Sequence, residues 1–268
     1  MTIFRKIFTE THHREQKQLA ENPPHTGFDR KTAVILVWTA LGLAITKYYG
    51  DTTFVSGVLK DWHLDSLDNS FRSWLDSNAH AKLHHLEWWV GSLIFVYFIV
   101  PVIFIRFVFR EKLSDYGLKR RGAFHSWPIY VLMLAIMLPL IYYFSSTASF
   151  QRRYPFYDPV HGESLWPDFW IWELFYFSQF IALEFYFRGV MTLGLKHRFG
   201  YYSIFVMTIP YCMIHFGKPM PETIGAIFAG IILGTLSMKS RSVWLGVAIH
   251  YSIALSMDMF SLWRKGFF

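Results

Sequence analysis

The stretch WPIYVLMLAIMLPLIYYF, residues 127–144, contains no charged side chain. A water-soluble domain has little use for such a segment, because a surface helix keeps one polar face. A helix that crosses a bilayer needs about 20 mostly apolar residues, with a tolerance of a few. Comparable runs occur at Thr32–Tyr49, Trp88–Phe109, Phe169–Leu195, Tyr201–Phe216, Ile224–Met238 and Val243–Phe260. Together with residues 127–144 they give about seven candidate spans, within a range of six to eight. The predicted fold class is all-α, a polytopic transmembrane helix bundle. Tyr201–Phe216 and Ile224–Met238 are short and Pro210 interrupts the first, so both are expected to be tilted, broken or buried inside the bundle.

Composition agrees with a bilayer as the main partner. Hydrophobic residues make up 53% of the chain and charged residues 17%, which is more apolar than a soluble domain requires. The net charge of +7 could suggest nucleic-acid binding, but Lys and Arg fall in short clusters between apolar runs and form no contiguous basic module, so no nucleic-acid partner is expected. The single cysteine, Cys212, excludes an internal disulfide framework and a multi-cysteine zinc site. The N-terminal residues 1–31 lack the apolar core and small-residue cleavage site of a removable signal peptide. They read as a solvated cytoplasmic tail, with an amphipathic stretch on the membrane surface as the alternative for the first eight residues.

The loops sort by charge. The tail before Thr32, the segment REKLSDYGLKRRG, the segment RGVMTLGLKHR and the turn KSR are rich in Lys and Arg. Residues 50–87 carry Asp51, Asp61, Asp65, Asp68 and Asp76, and residues 145–168 have only Arg152 and Arg153 as bases. The positive-inside rule then places the N-terminus in the cytoplasm and the two long loops outside, where partial helical packing on the surface is expected. The expected organisation is a tail 1–31, membrane spans with two extracytoplasmic loops over 32–168, a catalytic helix core over 169–260, and a tail 261–268. The expected location is a multi-pass cell membrane, a bacterial inner membrane.

An ionisable group inside a span costs a few kcal/mol or more unless it faces a wet cavity or a partner. In the C-terminal half, Glu184 and Arg188 in IALEFYFRGVM, His215 in PYCMIHFG and His250 in GVAIHYSIALSMD stand in such positions. Glu184 and Arg188, four residues apart, share a helix face and read as a buried ion pair. The guanidinium keeps the carboxylate ionised, and an ionised carboxylate in a dry pocket is a good base. One membrane histidine is ordinarily a packing residue; two histidines and a glutamate on three helices of the same half-chain point to a site. No HExxH run is present, so a zincin-type metal site has no sequence support. Glu173, eleven residues before Glu184, returns to within about 20° of the same face but about 16 Å away along the axis. It is expected near the outer interface, as Glu222 and Asp258 are expected near ends or loops.

These residues resemble the CPBP intramembrane proteases, the group that includes the CAAX prenyl endopeptidases and bacteriocin-processing proteins. The family pattern is roughly Glu-Glu-x-x-x-Arg, Phe-x-x-x-His and His-x-x-x-Asn, on successive helices. Glu184 and Arg188 match the first motif, Tyr211 stands for the Phe and His215 for the His of the second, and His250 matches the third. Leu183 occupies the place of the first Glu and Ala254 that of the Asn, which leaves Glu184 as the available carboxylate, in the manner of relatives with an EFFFRG-like context. The resemblance implies an intramembrane endopeptidase acting on a membrane-associated protein or peptide. Glu184 would activate water, His215 would orient it or share the proton, and His250 would stabilise the oxyanion or the leaving amine, with Arg188 and Tyr211 in support. Ser252, Tyr251 and Ser256 are the nearby substitutes for the missing Asn. No cofactor is expected; zinc, held by one carboxylate and two imidazoles, is the alternative. A non-catalytic binding or immunity protein with the same cavity and a small transporter are the competing functions.

Overall fold

The computed structural model describes residues 2–24, 26–77, 80–120, 123–124 and 126–268. The described residues form helices and turns and contain no strand. Helix α1 spans Thr2–Glu21 and α2 Arg30–Tyr48. The first long loop folds as a helical pair, α3 (Thr52–Asp61) and α4 (Asp65–Leu75), clamped by the buried Asp68 carboxylate against Ser56 and Arg72. Helix α5 runs through Ala81–Phe109, α6 through Trp127–Phe144. A long final set follows: α7 (Asp168–Glu184), a π-helical stretch Phe185–Leu193, α8 (Gly194–Phe199), α9 (Ser203–Met213), α10 (Met220–Ser240) and α11 (Trp244–Arg264).

Five of these helices, α2, α5, α6, α10 and α11, are long and apolar enough to cross a membrane. The remaining two expected spans are the ones closest to the bundle centre. Helix α7 runs on through the π-helical stretch into α8, and all nine residues of that stretch are buried. Helix α9 has 11 residues, about 16 Å at 1.5 Å per residue, which is roughly half of a hydrocarbon core of about 30 Å. It ends before His215 and is followed by turns up to Pro219, the break that its prolines and Gly217 allow.

Burial separates the lipid-facing helices from the central ones. On α6 only Tyr130 and Ile141 are buried, while Val131, Leu132, Ile136 and Tyr143 are exposed. Such apolar exposure is what a bilayer-facing helix presents. Around α7 the core is aromatic: Trp172 and Tyr176 stack at 4.8 Å, Tyr97 of α5 packs on Tyr186 at 5.0 Å, and Phe98 packs on Phe185 at 5.0 Å. Phe156 from the second long loop reaches Trp172 and Tyr176.

The N-terminal segment is no solvated tail. Ile7, Thr11 and Glu15, spaced four apart on one face of α1, are all buried. Ile7 joins Tyr130, Leu233, Leu236, Leu245 and Ile249 in one apolar cluster. The Glu15 carboxylate accepts from Arg14 Nε at 2.9 Å and Arg241 Nη2 at 2.7 Å, and Arg14 Nη2 donates to the Met238 carbonyl at the end of α10. The docked face includes a hydroxyl and a carboxylate, so an apolar-periodicity criterion misses it.

Candidate active site

Glu184 is the last residue of α7, and Arg188 lies in the π-helical stretch that follows it. The wider turn is marked by Thr192 Oγ1, which donates to the Phe187 carbonyl five residues back at 3.0 Å. Single π turns inside α-helices concentrate at functional sites. Arg188 Nη1 approaches Glu184 Oε1 at 2.9 Å, with both side chains fully buried. None of the guanidinium nitrogens makes an aligned hydrogen bond, so the approach is ionic, and the flat face of the group lies 4.0 Å from the centre of the Tyr211 ring. A planar delocalised cation suits that stacked position.

The second partner of the carboxylate comes from α11. His250 Nδ1 is 2.9 Å from the same Glu184 Oε1. A carboxylate accepts, so Nδ1 carries the proton and the opposite nitrogen, Nε2, is the free one. His215 sits in the turn after α9, its Nδ1 2.8 Å from the Tyr211 carbonyl, which fixes its proton in the same way. Tyr211 links the group: its ring is 4.9 Å from that of His215, 6.1 Å from that of His250 and 5.4 Å from that of Phe187. The structure therefore brings Glu184, Arg188, Tyr211, His215 and His250 around one centre. Glu184 is completely buried and His215 nearly so, whereas the His250 side chain keeps 16% of its surface accessible. The His250 side chain is the most accessible of these three.

Three features of the site were not expected from the sequence. Gly246, one turn before His250 on α11, lies directly against Glu184 Oε2, an oxygen with no hydrogen-bond partner. Phe180 packs against the His250 ring at a tilt, ring centres 4.5 Å apart. Glu173 and Asp258, expected near an interface and an end, are instead buried in the bundle. Tyr251 donates to Glu173 Oε2 at 3.2 Å, and Trp172 donates to Asp258 Oδ2 at 3.4 Å. Aromatic donors on neighbouring turns make their burial tolerable. The single spacing signal available for Gly246 was its position four residues before His250.

Leu183 and Ala254, at the two positions that depart from the family pattern, are buried apolar residues. The proposed replacements for the missing Asn are engaged elsewhere. Ser252 donates to the Ala248 carbonyl and Ser256 to the Ser252 carbonyl, both at 2.7 Å, and Tyr251 is held by Glu173.

A three-ligand zinc centre does not fit this arrangement. Glu184 occupies the Nδ1 side of the His250 ring, so an ion on His250 Nε2 would stand on the far side of the imidazole from the carboxylate. Among the described residues no group of three or more His, Cys, Asp or Glu is placed to hold a metal ion.

Comparison with known proteins supports the reading of these motifs. Residues 165–256 match the family model for Rce1-like type II CAAX prenyl endopeptidases. The matched segment is about a third of the chain and contains all five residues of the cluster, consistent with the CPBP family. No curated protein matches, and no solved structure matches.

Proposed function

We propose that the protein is an intramembrane endopeptidase that hydrolyses a peptide bond of a membrane-associated protein or peptide, with Glu184 and His250 working as one acid–base unit. The observation that carries this reading is the shared oxygen: Glu184 Oε1 takes both the Arg188 guanidinium and His250 Nδ1–H, each at 2.9 Å. Arg188 places a positive charge against the buried carboxylate and offsets the cost of leaving a lone charge there. The carboxylate fixes the tautomer of His250 and stabilises the imidazolium that forms when Nε2 takes a proton from water. His215, its Nδ1 committed to the Tyr211 carbonyl, presents Nε2 to accept a hydrogen bond from the other O–H of that water, which stays on the oxygen, and so orients it. The hydroxide attacks the scissile carbonyl carbon. The His250 Nε2–H then donates to the developing oxyanion, and next passes its proton to the leaving amine as the C–N bond breaks. Water activation thus runs through His250, with Glu184 behind it, rather than from the carboxylate alone. No step passes through a metal. The charge distribution of the loops supports a membrane protein with a cytoplasmic N-terminus.

The test is terminal-peptide mapping of membrane proteins in cells producing wild-type or Glu184→Gln protein. Glutamine keeps the size of the side chain and an oxygen acceptor for His250, so the variant should accumulate in the membrane, at a yield lowered by the uncompensated Arg188 charge, and ends generated by the wild type should be absent. Purified Glu184→Gln protein that cleaves at the wild-type rate sinks the mechanism. The buried apolar Leu183 and Ala254 favour a second reading, a non-catalytic binding protein with the same cavity; ends identical in cells with and without the protein would support it.

A further inference from the structure

The face of α11 that meets α7 carries Gly246 and His250 one turn apart, and both touch the same carboxylate. His250 holds Oε1. Gly246 is packed against Oε2, and a Cβ at that position would overlap this oxygen and stand 3.2 Å from Glu184 Cδ and 3.7 Å from Cγ. The end of the glutamate therefore rests on the bare backbone of α11. Gly246 lies in the first turn of the helix with an ordinary helical backbone, and glycine weakens a helix relative to alanine. No left-handed conformation calls for it. Gly91 and Gly225, also in the spans, are unlike it, since an added Cβ there meets nothing within 4 Å, and at the crowded Gly189 the obstacle is a backbone carbonyl rather than a carboxylate. The space that a side chain would take at 246 is filled by the group the mechanism depends on.

We infer that Gly246 is a positioning residue: by lacking a side chain it lets the Glu184 carboxylate lie against α11 at the one depth where Oε1 reaches His250 Nδ1. This rests on the acid–base reading of the Glu184–His250 pair. Any side chain at 246 drives the carboxylate away from α11. Arg188 is on the same continuous helix as Glu184 and keeps its ion pair after such a shift, but His250 is on α11 and loses its hydrogen bond. The imidazole then has no fixed tautomer, and Nε2 is no longer held as the free nitrogen. A displacement of about 1 Å in a catalytic group costs about 10²-fold in rate.

The experiment compares Gly246→Ala with Gly225→Ala in purified detergent-solubilised protein. It reads folded yield, kcat and KM on a peptide substrate identified by the terminal mapping, and the ring N–H resonance of His250 in histidine-labelled protein. The expected result for Gly246→Ala is a kcat lower by about 10²-fold with KM within about twofold, together with loss of the hydrogen-bonded His250 N–H signal, while Gly225→Ala changes neither. A wild-type kcat with an unchanged His250 resonance in Gly246→Ala overturns the inference. Should Gly246→Ala fail to fold, Gly246→Ala/Glu184→Asp supplies the answer, because the shorter carboxylate leaves room for the methyl group. Recovery of folded yield in that pair supports the contact, and continued failure overturns it. If Glu184→Gln cleaves at the wild-type rate, the protease reading falls, and the His250 resonance still decides the positioning role.

Discussion

Arg188 Nη1 lies 2.9 Å from Glu184 Oε1, one turn along the chain, and neither side chain has any accessible surface. The pair neutralises itself where water cannot help, and the Tyr211 ring packs against the guanidinium, its centre 4.0 Å from the guanidinium carbon. Removing one partner of a buried pair leaves an uncompensated charge, at a cost of about 3–5 kcal/mol. Arg188→Ala is therefore expected to lower folded yield and thermal stability together with activity. Arg188→Lys keeps the charge but not the planar stacking on Tyr211, and should fall between the two. Thermal unfolding in detergent measures this, and an Arg188→Ala protein with wild-type stability contradicts it.

Tyr211 does two separable jobs. Its ring carries Arg188 and touches both imidazoles, and its backbone carbonyl holds His215 Nδ1 at 2.8 Å. Tyr211→Phe preserves the ring and the carbonyl and should retain cleavage within about threefold, well below the 10²–10⁴ range expected for losing an acid–base group. Tyr211→Ala opens a cavity at a fully buried aromatic position, with a cost of about 3–5 kcal/mol, and should reduce yield. Equal loss of activity in both variants with normal yield would place the hydroxyl in the chemistry.

The lipid-facing helices and the members of the site were legible in the sequence because both signals are one-dimensional. Apolar runs such as 127–144 announce a span without reference to any partner, and Glu184, His215 and His250 stand out as groups that lipid cannot solvate. What the sequence hid depends on distances across the bundle. The π-helical stretch Phe185–Leu193 has no periodicity that sets it apart, since all of its residues are buried. Gly246 reads as an ordinary small residue until Glu184 is seen lying on it. The docking of α1 escaped because its buried face uses Thr11 and Glu15, and because the partners that anchor it, Arg241 for Glu15 and the Met238 carbonyl for Arg14, are more than 200 residues away. Glu173 and Asp258 were displaced from the interior by a rule that charged residues seek water, and their donors Tyr251 and Trp172 show why the rule failed.

Gly189 follows Arg188, and an added Cβ there would run into the carbonyl oxygen of Tyr116. That carbonyl belongs to the loop after α5, which is tied to the start of α11 by Val243 N–H donating to the Gly117 carbonyl at 3.1 Å and Ser242 Oγ donating to the Lys119 carbonyl at 3.1 Å. A backbone oxygen cannot rotate away as a side chain can. Gly189→Ala should therefore destabilise by about 1–3 kcal/mol, the usual cost of overpacking, and should loosen the loop. Faster amide exchange over residues 113–119 is the expected readout, and unchanged exchange argues against the contact.

The docked α1 makes a prediction of its own. Glu15 is buried, and both of its arginine partners are partly exposed, so part of their charge remains solvated when it is removed. Glu15→Ala should cost about 1–3 kcal/mol, the penalty for leaving hydrogen-bonding partners unpaired, and the loss should appear as protease sensitivity within residues 2–21. A protein whose α1 stays protected after this change does not rely on the Arg14–Glu15–Arg241 link.

At the start of α2, Asp29 caps the helix and joins it to α8. Its Oδ1 accepts from the Thr32 amide at 3.0 Å, and its Oδ2 accepts from the Thr32 hydroxyl at 2.7 Å and lies 2.8 Å from His197 Nε2. Partial burial works against ionisation, but the Thr32 and His197 bonds outweigh it and hold the carboxyl down at about 2. An unfolded aspartate titrates near 3.9, so the folded state binds its proton less readily than the unfolded chain. The stability contributed by Asp29 is then complete above about pH 4 and is lost as pH falls toward 2. Asp29→Asn retains a good N-cap and removes the titration. The difference in unfolding temperature between wild type and Asp29→Asn should be constant from pH 7 to 5 and shrink steadily between about pH 4 and 2. A difference that stays constant through that window would mean that the Asp29 charge has no part in holding α2 to α8.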